Sequence, residues 1–111
     1  MVECVAVIFT SKRTLEHDED YDRWSNRMDE LVREQPGFID AVSIRDPNSR
    51  IGITVSYFID EDSVKLWRAN TEHLEAQYLG RNAFYESYSV KVAKVYREYA
   101  MTRESTGTAT R

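Results

Sequence analysis

The sequence is short of most features that mark a specialised chain. One cysteine, Cys4, in 111 residues rules out an internal disulfide framework and fits a reducing cytoplasm. Its neighbours Val2, Val5 and Val7 make it a small core residue in expectation rather than a reactive thiol. Two prolines and four glycines are too few for linkers or low-complexity segments. No run approaches the roughly 20 apolar residues that span a bilayer, and no basic stretch followed by a long apolar one opens the chain. Positive charge is not in excess either. Fifteen Lys and Arg against nineteen Asp and Glu give a net charge of −4 and a pI near 5.2. With the cations scattered, this argues against nucleic acid or an anionic membrane as the main partner. Histidine occurs twice, and His17 lies in an acidic loop where solvation is expected.

What remains is an ordinary globular composition, 41% hydrophobic and 31% charged, in a length that suits one domain. Such a chain can bury about two thirds of its unfolded surface. Val2 to Ser11 is a β-rich run with two apolar faces, Cys4, Ala6, Ile8 and Val5, Val7, Phe9. Asp18, Glu19 and Asp20 suit the start of a helix, with Asp18 able to cap it. Tyr21, Trp24, Met28, Leu31 and Val32 then form one stripe at helical spacing, which Pro36-Gly37 ends. Phe38 to Arg45 and Ile51 to Ile59 read as strands joined by the turn Asp46-Pro47-Asn48-Ser49, a hairpin. In the second of them Gly52, Thr54, Ser56 and Phe58 share a small, more polar face, which leaves room beneath a helix for a ligand or for tight helix packing.

Asp60-Glu61-Asp62 begins a second helix. Val64, Trp67, Thr71, Leu74 and Tyr78 form one row, with Leu66, Asn70, His73 and Gln77 beside it. The helix is either continuous or broken at Asn70, with Thr71 capping a second piece. Gly80 ends the helical run. Tyr88 to Tyr99 is the last strand; its valines change face, so a β-bulge is expected near Ala93-Lys94. Residues 1–100 make the domain and 101–111, without apolar anchors, a disordered tail.

The order β-α-β-β-α-β is the ferredoxin-like α+β arrangement, an antiparallel sheet with both helices on one face. A first strand that is apolar on both faces needs a second cover. The simplest is another copy of the chain, sheet against sheet, in a dimeric α+β barrel, so a homodimer is expected.

The element order, Gln35-Pro36-Gly37-Phe38 after the first helix, and Ser56-Tyr57-Phe58 leading to Trp67 carry a resemblance. So do Glu72-His73-Leu74-Glu75-Ala76-Gln77, Gly80-Arg81 and the pair Phe84-Tyr85. Over residues 3 to 99 the chain resembles the antibiotic biosynthesis monooxygenase (ABM) domain family, which includes oxygenases of polycyclic phenols, quinol monooxygenases and haem-degrading enzymes. The resemblance implies a monooxygenase that needs neither metal nor flavin and acts on an electron-rich small aromatic such as a phenol or quinol. The haem-degrading branch carries a tryptophan, a histidine about ten residues on, and an asparagine in the first strand. Here Gln77 stands ten residues after Trp67, His73 only six after, and Val5, Val7 and Phe9 fill the strand. Haem is disfavoured on that pattern, since an amide is a poor iron ligand beside imidazole.

Cofactor-free oxygenation asks the protein for a dry pocket, a base and donors that hold an anion. His73 has the side chain whose ordinary pKa suits a base near neutrality. Asn70 and Gln77, one turn to either side, can orient a carbonyl or phenolate. Trp67, Phe58 and Tyr85 can wall a flat ring, and Arg81 can draw an anion to the mouth. A small-molecule binding dimer without turnover would use the same cavity without needing His73 to titrate, and a plain dimerisation module would need no cavity at all.

Overall fold

The computed structural model describes residues 3–77 and 81–103 and, within them, the side chains of all but 73–77, 81 and 82. The order is β1 (Cys4–Arg13), α1 (Asp18–Arg33), β2 (Phe38–Arg45), β3 (Ile51–Phe58), α2 (Glu61–Gln77), α3 (Arg81–Phe84) and β4 (Tyr85–Val95). The sheet runs β2-β3-β1-β4 with every neighbour antiparallel. This is the expected ferredoxin-like α+β fold, with one short added helix before the last strand.

The first helix begins differently from expectation. His17, in the left-handed region at φ 64°, occupies the capping position without a side-chain bond to the helix, and Asp18 is the first helical residue. The Asp18 carboxylate is engaged elsewhere, by the guanidinium groups of Arg13 at 2.7 Å and Arg50 at 2.6 Å. α1 ends at Arg33, and in the link that follows a Cβ on Gly37 (φ 83°) would lie 2.0 Å from Ser63 Oγ at the start of α2. Only glycine lets the two helices' ends approach so closely. Asp60 caps α2, accepting from the Ser63 amide at 2.9 Å and hydroxyl at 2.7 Å. α2 runs unbroken through Asn70, because Thr71 turns its hydroxyl back to the Arg68 carbonyl at 2.8 Å instead of capping a new helix.

β1 extends two residues beyond Ser11, and Arg13 is its buried last residue. β4 starts at Tyr85 and stops at Val95, short of Tyr99, because Val95 pairs with Cys4, where β1 begins. Residues beyond it have no strand to pair with. The bulge expected near Ala93-Lys94 is absent. The ladder is regular there, and the irregularity lies at Lys12/Arg13 instead. No shift is needed, since both sheet faces are apolar. Val90 and Val92 lie opposite Phe9 and Val7 on the helix face, whereas Val95 lies opposite Cys4 on the other. Cys4 is half-buried at the sheet's end rather than in the core. Of the expected tail, residues 101–103 are exposed without regular structure, and 104–111 lie outside the described residues.

Two apolar clusters hold the helices to the sheet. Val5, Val32, Phe58 and Val64, with Val7, Phe38 and Trp67 against them, seal one end. Tyr21, Phe84 and Tyr85 pack edge to face at the other, with Trp24 tilted against Phe84. On the open face Val42, Ile44, Ile51 and Ile53 remain exposed as a contiguous apolar strip of β2 and β3. Among the described residues no helix is long and apolar enough to cross a membrane.

Candidate active site

Between the two clusters lies a cavity of about 450 Å³, within the usual size range of small-molecule sites. Its floor is the helix face of the sheet: Val7 and Phe9 from β1, Ala41 and Ser43 from β2, Thr54 and Ser56 from β3, Val90 and Val92 from β4. The small face expected in β3 therefore does open space beneath the helices. Thr54 and Ser43 join across the strands at 2.7 Å, hydroxyl to hydroxyl. The walls are Tyr21, Trp24, Ser25, Met28 and Val32 from α1, and Val64, Trp67 and Thr71 from α2. Asp29, Arg33 and Arg68 add charge at the rim, with Arg33 paired to Asp29 at 3.1 Å and Arg68 to Glu72 at 3.5 Å.

Of the residues singled out from sequence, Trp67 and Tyr85 line this cavity. Phe58 does not. It has no solvent exposure and packs edge-on against Phe38 at 5.8 Å in the sealed cluster, so it is core rather than a wall. Asn70 is half-buried on α2 and lies off the cavity's lining. The backbones of His73 and Gln77 belong to α2 and that of Arg81 to α3, but all three side chains lie outside the described residues. Among the described residues no three His, Cys, Asp or Glu side chains gather as metal ligands.

Sequence reasoning marked Tyr85 but missed the group of rings and arginines around it. Phe9 meets Tyr85 edge-on at 5.4 Å and stacks on Tyr88 at 5.7 Å, and Tyr21 meets Tyr85 edge-on at 5.8 Å. Three arginines support this group from behind. Arg13, 2% exposed, lies 4.1 Å over the Tyr21 ring and donates to the carbonyls of Phe84 and Glu16. Arg45 donates to the Tyr21 hydroxyl at 3.2 Å, to Ser11 Oγ at 2.8 Å and to the Arg50 carbonyl at 2.8 Å. Arg50 donates to the Thr14 carbonyl and, with Arg13, grips Asp18. Gly52 permits the arrangement, since a Cβ there would come within 2.7 Å of the Arg45 guanidinium carbon.

Burial pushes the Tyr85 phenol well above the ordinary tyrosine range, helped by Tyr21 and opposed by Arg45 and Arg13. It stays protonated at neutral pH. The site thus offers aromatic surface, small hydroxyls and a protonated tyrosine, and its far end is closed by apolar packing.

No protein-family model matches the chain. It is 46% identical over 93 residues to the uncharacterized protein YqjZ of Bacillus subtilis, a match spanning 84% of this chain and 80% of that protein. Among solved structures, SnoaB of Streptomyces nogalater, described as a cofactor-independent oxygenase, superposes with a TM-score of 0.64 at 14% identity, over 86% of this chain and 95% of that one. A candidate antibiotic biosynthesis monooxygenase of Bacteroides thetaiotaomicron gives a TM-score of 0.70 at 12% identity, over 90% and 96%. At that identity the structural likeness speaks for the fold, and it is the fold that the sequence resemblance implied. The chain belongs to the family of Bacillus subtilis YqjZ and has the fold of the ABM-like proteins.

Proposed function

We propose that the protein is a cofactor-independent monooxygenase of a small phenol- or quinol-like aromatic, working in the cytoplasm as a homodimer. The observation that carries this is the cavity between helices and sheet, about 450 Å³ and lined by Phe9, Tyr21, Trp24, Trp67 and Tyr85. Aromatic walls suit a flat ring, and the serine and threonine floor suits its polar substituents. The SnoaB-like fold supports the same reaction class.

In this proposal the phenol loses its proton to His73, one turn beyond Asn70 on α2. The resulting anion is electron-rich enough to pass one electron to dioxygen. Recombination of the two radicals forms a C–O bond as a hydroperoxide, and loss of water from it leaves a carbonyl. For a phenol with a free ring C–H, the sum is phenol plus O2 giving quinone plus H2O. The protein's tasks are to exclude water, take the first proton and hold the oxygen anion. Gln77 orients the substrate, Trp67 and Tyr85 sandwich it, and Arg81 attracts it, whereas Asn70, off the lining, has no contact with it. Phe58 contributes only by shaping the cavity's closed end.

The homodimer would cover Val42, Ile44, Ile51 and Ile53, an apolar strip of a kind seldom left open to water. Oxygen uptake with anthrol- or quinol-type substrates tests the activity. Uptake that disappears in His73→Ala while the dimer persists supports the base assignment, and full activity in that variant rejects it. A protein that binds these rings but consumes no oxygen is the non-catalytic binding dimer.

A further inference from the structure

We propose that Tyr21 receives the substrate's ring oxygen, donating its phenol proton to it, and so selects oxygenated rings and sets which end of the ring enters first. This rests on the reading of the cavity as an aromatic-substrate site. Tyr21 stands in the first turn of α1 and lines the cavity. Its ring is fixed on three sides, by the Arg13 guanidinium at 4.1 Å and by Phe84 and Tyr85 at 5.6 and 5.8 Å. The hydroxyl is fixed as well, by Arg45 Nη2 at 3.2 Å.

A guanidinium has five donors and no acceptor, so that bond can only run into the tyrosine oxygen. The Tyr85 phenol also hydrogen-bonds this hydroxyl, and because that bond helps to raise the Tyr85 pKa it runs from Tyr85 into the Tyr21 oxygen, which leaves the Tyr21 proton to be given to another acceptor. A positively charged donor at the oxygen also polarises the O–H and strengthens what it gives. Arg45 cannot swing away easily, because Ser11 Oγ and the Arg50 carbonyl hold it at 2.8 Å each. Phe9 and Val90 line the same cavity with apolar surface, and the Tyr85 phenol stays protonated beside Tyr21. A ring bearing an oxygen here meets the Tyr21 donor. A ring without one leaves the Tyr21 proton facing hydrocarbon, the arrangement that discriminates most strongly between analogues.

The test is calorimetric titration of the full chain and of Tyr21→Phe with 1-naphthol and with 1-methylnaphthalene, a ring of nearly the same shape without the hydroxyl. The wild type is expected to prefer the naphthol by about ten-fold or more. Tyr21→Phe should bind the two within about two-fold, with a methylnaphthalene affinity equal to the wild type's or higher, which also reports an intact cavity. A variant that keeps the preference overturns the proposal while leaving the aromatic site standing, as does a wild type that binds both rings alike. If neither ring binds the wild type, the reading of the cavity fails and the assignment of Tyr21 falls with it.

Discussion

Replacing Arg13 with methionine keeps most of the side chain's volume while removing the charge on which the tyrosine end of the cavity rests. The guanidinium is 2% exposed, donates to the carbonyls of Phe84 and Glu16, and lies 4.1 Å over the Tyr21 ring. Hydrogen bonds from a charged donor contribute about 2 kcal/mol each, and a desolvated cation–π contact about 2 more. Against this roughly 6 kcal/mol stands the desolvation of a buried cation, which methionine relieves and which is worth about 3 kcal/mol after relaxation. The net expectation is a loss of about 3 kcal/mol. Asp18 adds nothing to that figure, because it is exposed and keeps Arg50 as a partner. Urea unfolding at pH 7 reads the difference, at one fixed protein concentration because a dimer's stability depends on it. With a slope of about 1.5 kcal/mol per molar, the midpoint should fall by about 2 M. Naphthol affinity should fall with it, since Tyr21 loses the group above its ring. An unchanged or higher midpoint would refute the reasoning and mean that desolvation outweighs the contacts, as it does for some buried ion clusters.

Three further outcomes follow from other parts of the molecule. The carboxyls of Asp18, Asp46 and Asp60 are held below the ordinary range by Arg50, by the Ser49 amide and by the Ser63 hydroxyl, respectively. A depressed folded pKa means that the unfolded chain takes up more protons as pH falls below about 4, so stability should be level from pH 7 to 5 and drop below 4; equal urea midpoints at pH 5 and pH 3 would contradict this. Gly37→Ala should lose about 3 kcal/mol by thermal unfolding, because it forces a Cβ into φ 83° and to 2.0 Å from Ser63 Oγ. Ile44→Lys with Ile53→Lys, on the open sheet face, should convert a dimer to monomer in sedimentation at micromolar protein; a wild type already monomeric there would remove the dimer from the proposal.

The sheet was legible because strands report their faces in the period of two. Val5, Val7 and Phe9 against Cys4, Ala6 and Ile8 announce a strand that is apolar on both sides, and the ladder bears this out residue by residue. The same observation, pressed further, would have removed the bulge expected near Ala93-Lys94. A valine that changes face signals a bulge only when one face is wet, and here neither needs to be. Strand ends were misplaced for a different reason. Where β4 stops depends on where β1 starts, a fact about the partner strand that no local composition carries.

The cavity was legible in part. Thr54 and Ser56 on one face of β3 marked the space, and Trp67 and Tyr85 marked two of its walls. Tyr21 and Trp24 were visible only as members of an apolar stripe, since periodicity shows that a side chain faces inward but not whether it meets protein or a void. What singles out Tyr21 is Arg45, 24 positions away, which reaches it across the sheet only because Gly52 has no side chain in the path. In the sequence, Arg45 ends a strand before a turn and reads as one more surface cation. Its charge is aimed inward by hydrogen bonds to Ser11 and the Arg50 carbonyl, both brought near by strand register. A binding determinant of this kind is a property of three strands and a helix together. Gly52→Ala is therefore expected to act on the site without touching it: by displacing Arg45 from the Tyr21 hydroxyl, it should weaken the naphthol preference while leaving methylnaphthalene binding as it was.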